Sequence, residues 1–141
     1  MSASAIDRVQ RIFEAVPTSA RAARQFVADT LRLHGATTGV ISDYSLVVSE
    51  LATNIIEHGD GSSWVIFVDV TDSDWWEVEV VGGVSDPPAR VLQPDTWSVA
   101  AADEISGRGL GIVRHLMDQI TADETDGQVG IRCRRRRTEA A

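Results

Sequence analysis

The stretch Leu46-Val47-Val48-Ser49-Glu50-Leu51-Ala52-Thr53-Asn54-Ile55-Ile56-Glu57-His58-Gly59 governs how the rest of this chain is read. Val47, Leu51 and Ile55 recur every four residues, the apolar stripe of a helix buried on one side. Glu50, Asn54 and His58 recur at the same spacing in the row beside it. A carboxylate and an amide at the margin of a core are half removed from water and need polar partners. A Glu and an Asn one turn apart offer a general base and an oxygen ligand for Mg2+, a hard cation. A helix with solvated acids along its edge shows the same spacing, so the pattern alone leaves both readings open.

Working outward, this helix is predicted to run from about Ser42 to His58 and to stop at Gly59. Upstream, Arg8 to Val16 alternates loosely and reads as an edge strand that Pro17 ends. Thr18 or Ser19 then caps a helix reaching about His34, with Ala23, Phe26, Val27 and Leu31 on one face and Gly35 at its end. Downstream, Trp64–Thr71 and Trp75–Val81 form a hairpin around Asp72-Ser73-Asp74. Residues 82–106 show no period and read as a long functional loop. A third helix follows from Leu110 to about Asp118, and Ile120–Glu124 with Gln128–Arg134 closes a second hairpin. The order (β)-α-α-β-β-loop-α-β-β predicts an α+β two-layer sandwich, with a mixed, mostly antiparallel sheet and helices on one face. One domain is expected over residues 8–135, between a flexible N-terminus at 1–7 and a basic flexible tail at 136–141.

Composition excludes several chemistries. The chain has 141 residues, 43% hydrophobic and 24% charged, with a formal charge of -8. All 13 basic residues are arginine. Without lysine there is no Schiff-base chemistry and no Walker-type P-loop. One cysteine, Cys133, forms neither an internal disulfide nor a multi-cysteine zinc site. The net charge argues against nucleic acid as a partner, and no run is long enough for a membrane span. A cytoplasmic location is the simplest expectation. The charge is also segregated: residues 40–130 hold seventeen acids against three arginines, net -14, while residues 1–39 are net +2 and residues 131–141 net +4.

A second informative piece is Ser106-Gly107-Arg108-Gly109-Leu110-Gly111-Ile112-Val113. Alternate glycines running into a helix let backbone N–H groups approach phosphate oxygens at the positive end of the helix dipole. Arg108 adds a fixed cation. A flexible loop with tight helix packing accounts for the glycines about as well. They do not follow a strand, as a dinucleotide fingerprint requires.

The Glu50-x-x-x-Asn54 helix, the hairpin after it, the long loop and Gly107-x-Gly109-x-Gly111 together resemble the GHKL (Bergerat-fold) ATP-binding domain. Ser49-Glu50-Leu51-Ala52-Thr53-Asn54 with His58-Gly59 narrows the resemblance to the anti-sigma factor serine/threonine kinases of bacterial partner-switching systems. It covers about residues 15–135. It implies that Glu50 is the catalytic base toward an accepting serine or threonine and that Asn54 holds Mg2+. It implies nucleotide contacts from Asn54, His58, Gly82, Gly83, Asp86, Gly107, Arg108, Gly109, Leu110 and Gly111. The cofactors implied are ATP and Mg2+. The partners implied are a sigma factor held inactive and an anti-anti-sigma (STAS-domain) protein, and a homodimer is a family expectation.

Two positions depart from the family pattern. Where the family carries an aspartate that binds the adenine amino group, this chain has Gly82, and Asp86 lies four residues later. Where the family has a threonine after the turn glycine of the last hairpin, Gly127 is followed by Gln128. Losing a charge-assisted hydrogen bond costs about 1.5–3 kcal/mol, roughly 10- to 150-fold in affinity. Either Asp86 substitutes through a shifted loop, or the protein is a degenerate, non-catalytic partner-switching binder. A fragment of an ATPase or histidine kinase is a third reading. Elsewhere, Arg24 reads as an exposed helical arginine, Arg134 to Arg137 as a solvated basic end, and one of Trp75 and Trp76 as a residue facing a partner. His115 reads as a surface residue and Cys133 as a small buried hydrophobe.

Overall fold

Strand β1 (Arg8–Phe13) is followed by helices α1 (Ser19–Leu33) and α2 (Thr38–His58), then by the hairpin β2 (Trp64–Asp69) and β3 (Trp75–Gly83). Helix α3 (Ile105–Leu116) leads into the hairpin β4 (Gln119–Thr125) and β5 (Gln128–Arg136). This computed structural model describes residues 8–98 and 105–137, and side chains from residue 109 onward in α3. The expected flexible segment 1–7 and residues 138–141 of the expected tail at 136–141 lie outside the described residues, while Arg136 of that tail belongs to β5. The five strands form one sheet in the order β1-β2-β3-β5-β4. Every pairing is antiparallel, so the mixed sheet expected from sequence is a wholly antiparallel one.

Alternation along the strands sorts their side chains. Trp64, Ile66 and Val68 of β2, Trp76, Val78 and Val80 of β3, and Val129, Ile131 and Cys133 of β5 face the helices and are buried. Ala23, Val27 and Leu31 of α1 meet them, with Val47, Val48 and Leu51 of α2. Tyr44 fixes the angle of α2 on the sheet: its hydroxyl lies 3.0 Å from the backbone oxygens of both Trp76 and Cys133 and shares its proton between them. Burial raises the Tyr44 pKa well above its ordinary value, so the phenol stays a donor.

The outer sheet face is a lattice of charges. Arg132 lies 3.8 Å from Glu77, Arg134 lies 3.1 Å from Glu77, and Arg8 lies 3.5 Å from Asp69. Trp75 is on this face but is covered, with the Arg134 and Arg136 guanidiniums 4.7 and 4.5 Å from its ring. Trp76 is buried in the core, so neither tryptophan is an open partner contact.

The structure corrects four local expectations. Helix α2 starts at Thr38, a turn earlier than Ser42, because the Thr37 hydroxyl accepts from the Val40 amide at 3.2 Å. Thr18 precedes α1 without a side-chain capping bond. Arg24 is half-buried and donates to the Ser49 hydroxyl at 3.2 Å. The arginines at 134–137 are engaged: Arg135 pairs with Asp43 of α2, and Arg137 lies 3.8 Å over Trp76 and donates to the Val70 carbonyl at 3.0 Å. His115 is exposed and Cys133 is buried, as expected.

Candidate functional site

Between α2 and the sheet lies a cavity of about 300 Å³. Leu51, Ile55, Val80, Val129 and Ile131 make it mainly apolar. Asn54 and His58 enter from α2, Leu110 from α3, and Asp86 and Arg90 from the segment after β3. A concave apolar site with a few convergent polar groups is the usual form of a small-molecule pocket.

The segment after β3 is more ordered than a period-free loop suggests. Short 3-10 turns span Ala89–Leu92 and Pro94–Thr96. Trp97 is buried, and its indole Nε1 donates to the Arg90 carbonyl at 2.7 Å. Arg114 of α3 donates to the carbonyls of Asp95 at 2.8 Å and Trp97 at 3.1 Å. A tryptophan and an arginine thus staple this lid down. Asp86 has φ +53, a left-handed conformation that aspartate tolerates better than most residues.

The expected site residues divide into two groups. Asn54, His58, Asp86 and Leu110 come together on the cavity wall. Glu50 does not line it. An added Cβ at Gly109 would lie 2.3 Å from Glu50 Oε1, so the carboxylate rests on the α3 backbone where the two helices cross. Gly107, Arg108, Gly109 and Gly111 correct the loop reading: they lie inside α3, which begins at Ile105, and do not precede the helix. Gly109 serves the close approach of α3 to α2; the Arg108 side chain lies outside the described residues.

Gly82 and Gly83 join β3 to the end of α2. A Cβ on Gly82 would meet Ile55 Cδ1 at 2.9 Å, so Ile55 occupies the space a side chain at 82 would need. At Gly83 it would meet Asp60 Oδ2 at 2.3 Å, and the Asp60 amide donates to the Gly83 carbonyl at 2.9 Å. Hydrogen bonds from Ser62 lower the Asp60 pKa. Gln128 pairs with Gly83 in the strand register and is exposed. Arg90 and its Trp97–Arg114 support were missed from sequence. The available signal was that Arg90 is one of three arginines in the acidic middle of a lysine-free chain.

The family model of the histidine kinase-like ATPase domain matches residues 13–134. The chain belongs to this family. Membership of the histidine kinase-like ATPase domain family implies ATP binding. Two solved structures share the fold. The RsbU and RsbW domains of Rv1364c from Mycobacterium tuberculosis align at TM-score 0.65 and 19% identity, over 92% of this chain. This chain spans only 32% of that one. The SiaB–SiaC complex from Pseudomonas aeruginosa contains a chain aligning at TM-score 0.65 and 14% identity, over 91% of this chain and 89% of that one. No curated protein sequence matches this ATPase-domain chain. Among its described residues no helix is long and apolar enough to cross a membrane.

Proposed function

We propose that this ATPase-domain protein is an anti-sigma regulator of the kinase type, which binds a sigma factor and phosphorylates a serine or threonine of an anti-anti-sigma partner with Mg-ATP. The observation that supports it is Asn54 in the cavity wall, one helical turn from Glu50. A nucleotide in the cavity would set its base against Leu51, Ile55, Val80 and Ile131 and its phosphates toward α3. The Asn54 amide oxygen would hold Mg2+, with phosphates and water completing the shell, a usual arrangement for this ion. Among the described residues no cluster of three His, Cys, Asp or Glu offers an all-protein site. When bound there, the ion would supply neutralisation of the phosphate charge.

Glu50 would accept the proton of the partner's hydroxyl as that oxygen bonds to the γ-phosphorus and the bond to the ADP oxygen breaks. This requires the Glu50 side chain to rotate away from Gly109. A homodimer and a cytoplasmic setting complete the proposal.

A second reading keeps the partner binding and drops catalysis. Gly82 supports it, because Ile55 fills the space beside it and position 82 offers no carboxylate to a base. Incubation with labelled ATP, Mg2+ and the cognate anti-anti-sigma protein separates the two. Label on the partner that disappears in Glu50→Gln supports the kinase. No nucleotide binding at millimolar ATP, with partner binding intact, leaves the non-catalytic reading.

A further inference from the structure

We propose that Asp86 selects the base of the nucleotide in this cavity, its carboxylate accepting a hydrogen bond from the exocyclic amino group of a purine. The proposal rests on the nucleotide-binding reading above and adds base selectivity to it. The cavity has two ends. At one, α3 meets α2, and the Glu50 carboxylate lies against Gly109. At the other, where α2 closes, the Asp60 amide donates to the Gly83 carbonyl at 2.9 Å and the Val84 amide to the Gly127 carbonyl at 3.0 Å. Roughly 12 Å of helix separate Glu50 from His58 at the usual rise per residue. Asp86 follows Val84 closely along the chain, so it joins the cavity wall at the end remote from α3.

Charge decides which part of a ligand meets that carboxylate. It repels a phosphate chain, so the phosphates turn toward α3 and the base toward Asp86. The wall at the Asp86 end is otherwise apolar. Ile55, Val84 and Val129 line it, Val129 is paired with Gly82, and Ile55 fills the space beside Gly82. Such a wall holds a flat ring without distinguishing its edge. Telling an amino group from a carbonyl or a bare carbon takes a group of fixed hydrogen-bonding sense, and a carboxylate only accepts. His58 and Ser85 line the same cavity, but an imidazole and a hydroxyl can each donate or accept. Among the described residues the Asp86 carboxylate makes no hydrogen bond or ion pair, so none has to break when a base arrives.

Equilibrium binding of ATP and of purine riboside triphosphate, which lacks the amino group, to the full chain in Mg2+ buffer tests this. The readout is the ratio of the two affinities, in which any general effect of charge on the phosphates cancels. Wild type is expected to favour ATP about 10- to 100-fold, the range of a charge-assisted hydrogen bond. Asp86→Gly removes the carboxylate and suits the left-handed backbone at φ +53, and its ratio is expected to fall to within about 2-fold of unity. Should that variant fold poorly, Asp86→Asn also tolerates this conformation, and its neutral amide oxygen is expected to leave a ratio between the other two. A wild-type ratio near unity overturns the proposal while leaving nucleotide binding standing. So does a wild-type ratio that persists in Asp86→Gly, which would place the selection at another residue, or an equal loss of both ligands, which would place the effect in the lid. Wild type that binds neither triphosphate removes the nucleotide-binding reading and this inference with it.

Discussion

Gly109 and Gly59 show how different the demands on one residue type are. At Gly109 the obstacle to a Cβ is the far end of the Glu50 side chain, which can swing aside. Gly109→Ala is expected to fold with a Tm equal to wild type or a few degrees higher, because alanine favours a helix interior over glycine by roughly 1 kcal/mol. It displaces the Glu50 carboxylate, so phosphorylation of the partner protein is expected to change although stability does not. At Gly59 the obstacles are backbone: the Ile55 carbonyl oxygen at 2.4 Å and that of Gly83 at 3.0 Å. Gly59→Ala is expected to destabilise by about 1–3 kcal/mol, read from chemical denaturation. Tyr44→Phe removes the hydroxyl shared by Trp76 and Cys133 and is expected to cost about 1 kcal/mol. The same denaturation series measures it.

At the scale of elements, the lid is the part that sequence described least well. It has no hydrophobic period because two short 3-10 turns and a single buried anchor organise it, and neither produces one. Trp97→Ala removes that anchor from a core it shares with α3 and β5. Limited proteolysis is expected to cut the variant between β3 and α3 at enzyme concentrations that leave wild type intact. Protection equal to wild type would show that Arg114 holds the lid alone. Helix α3 behaves in the opposite way. Its glycines read as a loop because glycine is a poor helix former, yet they lie within α3, where the Glu50 carboxylate fills the space beside Gly109.

Across the whole molecule, charge is sorted by place. The acidic middle and the basic C-terminal segment, distant in net charge along the chain, meet on the outer sheet face, where β5 arginines lie beside β3 glutamates. Within that lattice burial raises the Glu77 pKa, with Arg132 and Arg134 opposing and Asp69 adding to the shift. A carboxyl whose pKa is higher folded than unfolded binds more protons in the native state, so its contribution falls as pH rises from its unfolded pKa through the folded one. Tm measured from about pH 4 to pH 7 is expected to turn against wild type relative to Glu77→Gln as pH rises. A constant difference across the range would show that Glu77 titrates alike in both states.

Much of this protein was legible before any tertiary contact was known. Alternation fixes the faces of β2, β3 and β5, and the four-residue repeat of Val47, Leu51 and Ile55 places α2 against them, because burial of apolar area is local enough to leave a periodic mark. Of the Glu50–Asn54–His58 row, whose spacing left a solvated helix edge open, Asn54 and His58 line the cavity and Glu50 does not. Tertiary structure alone decided that Glu50 rests on Gly109, that Ile55 closes the space beside Gly82, and that the lid brings Arg90 to the same cavity. Those outcomes depend on contacts between residues dozens of positions apart. Steric exclusion and hydrogen bonding over such separations leave no period in a single chain.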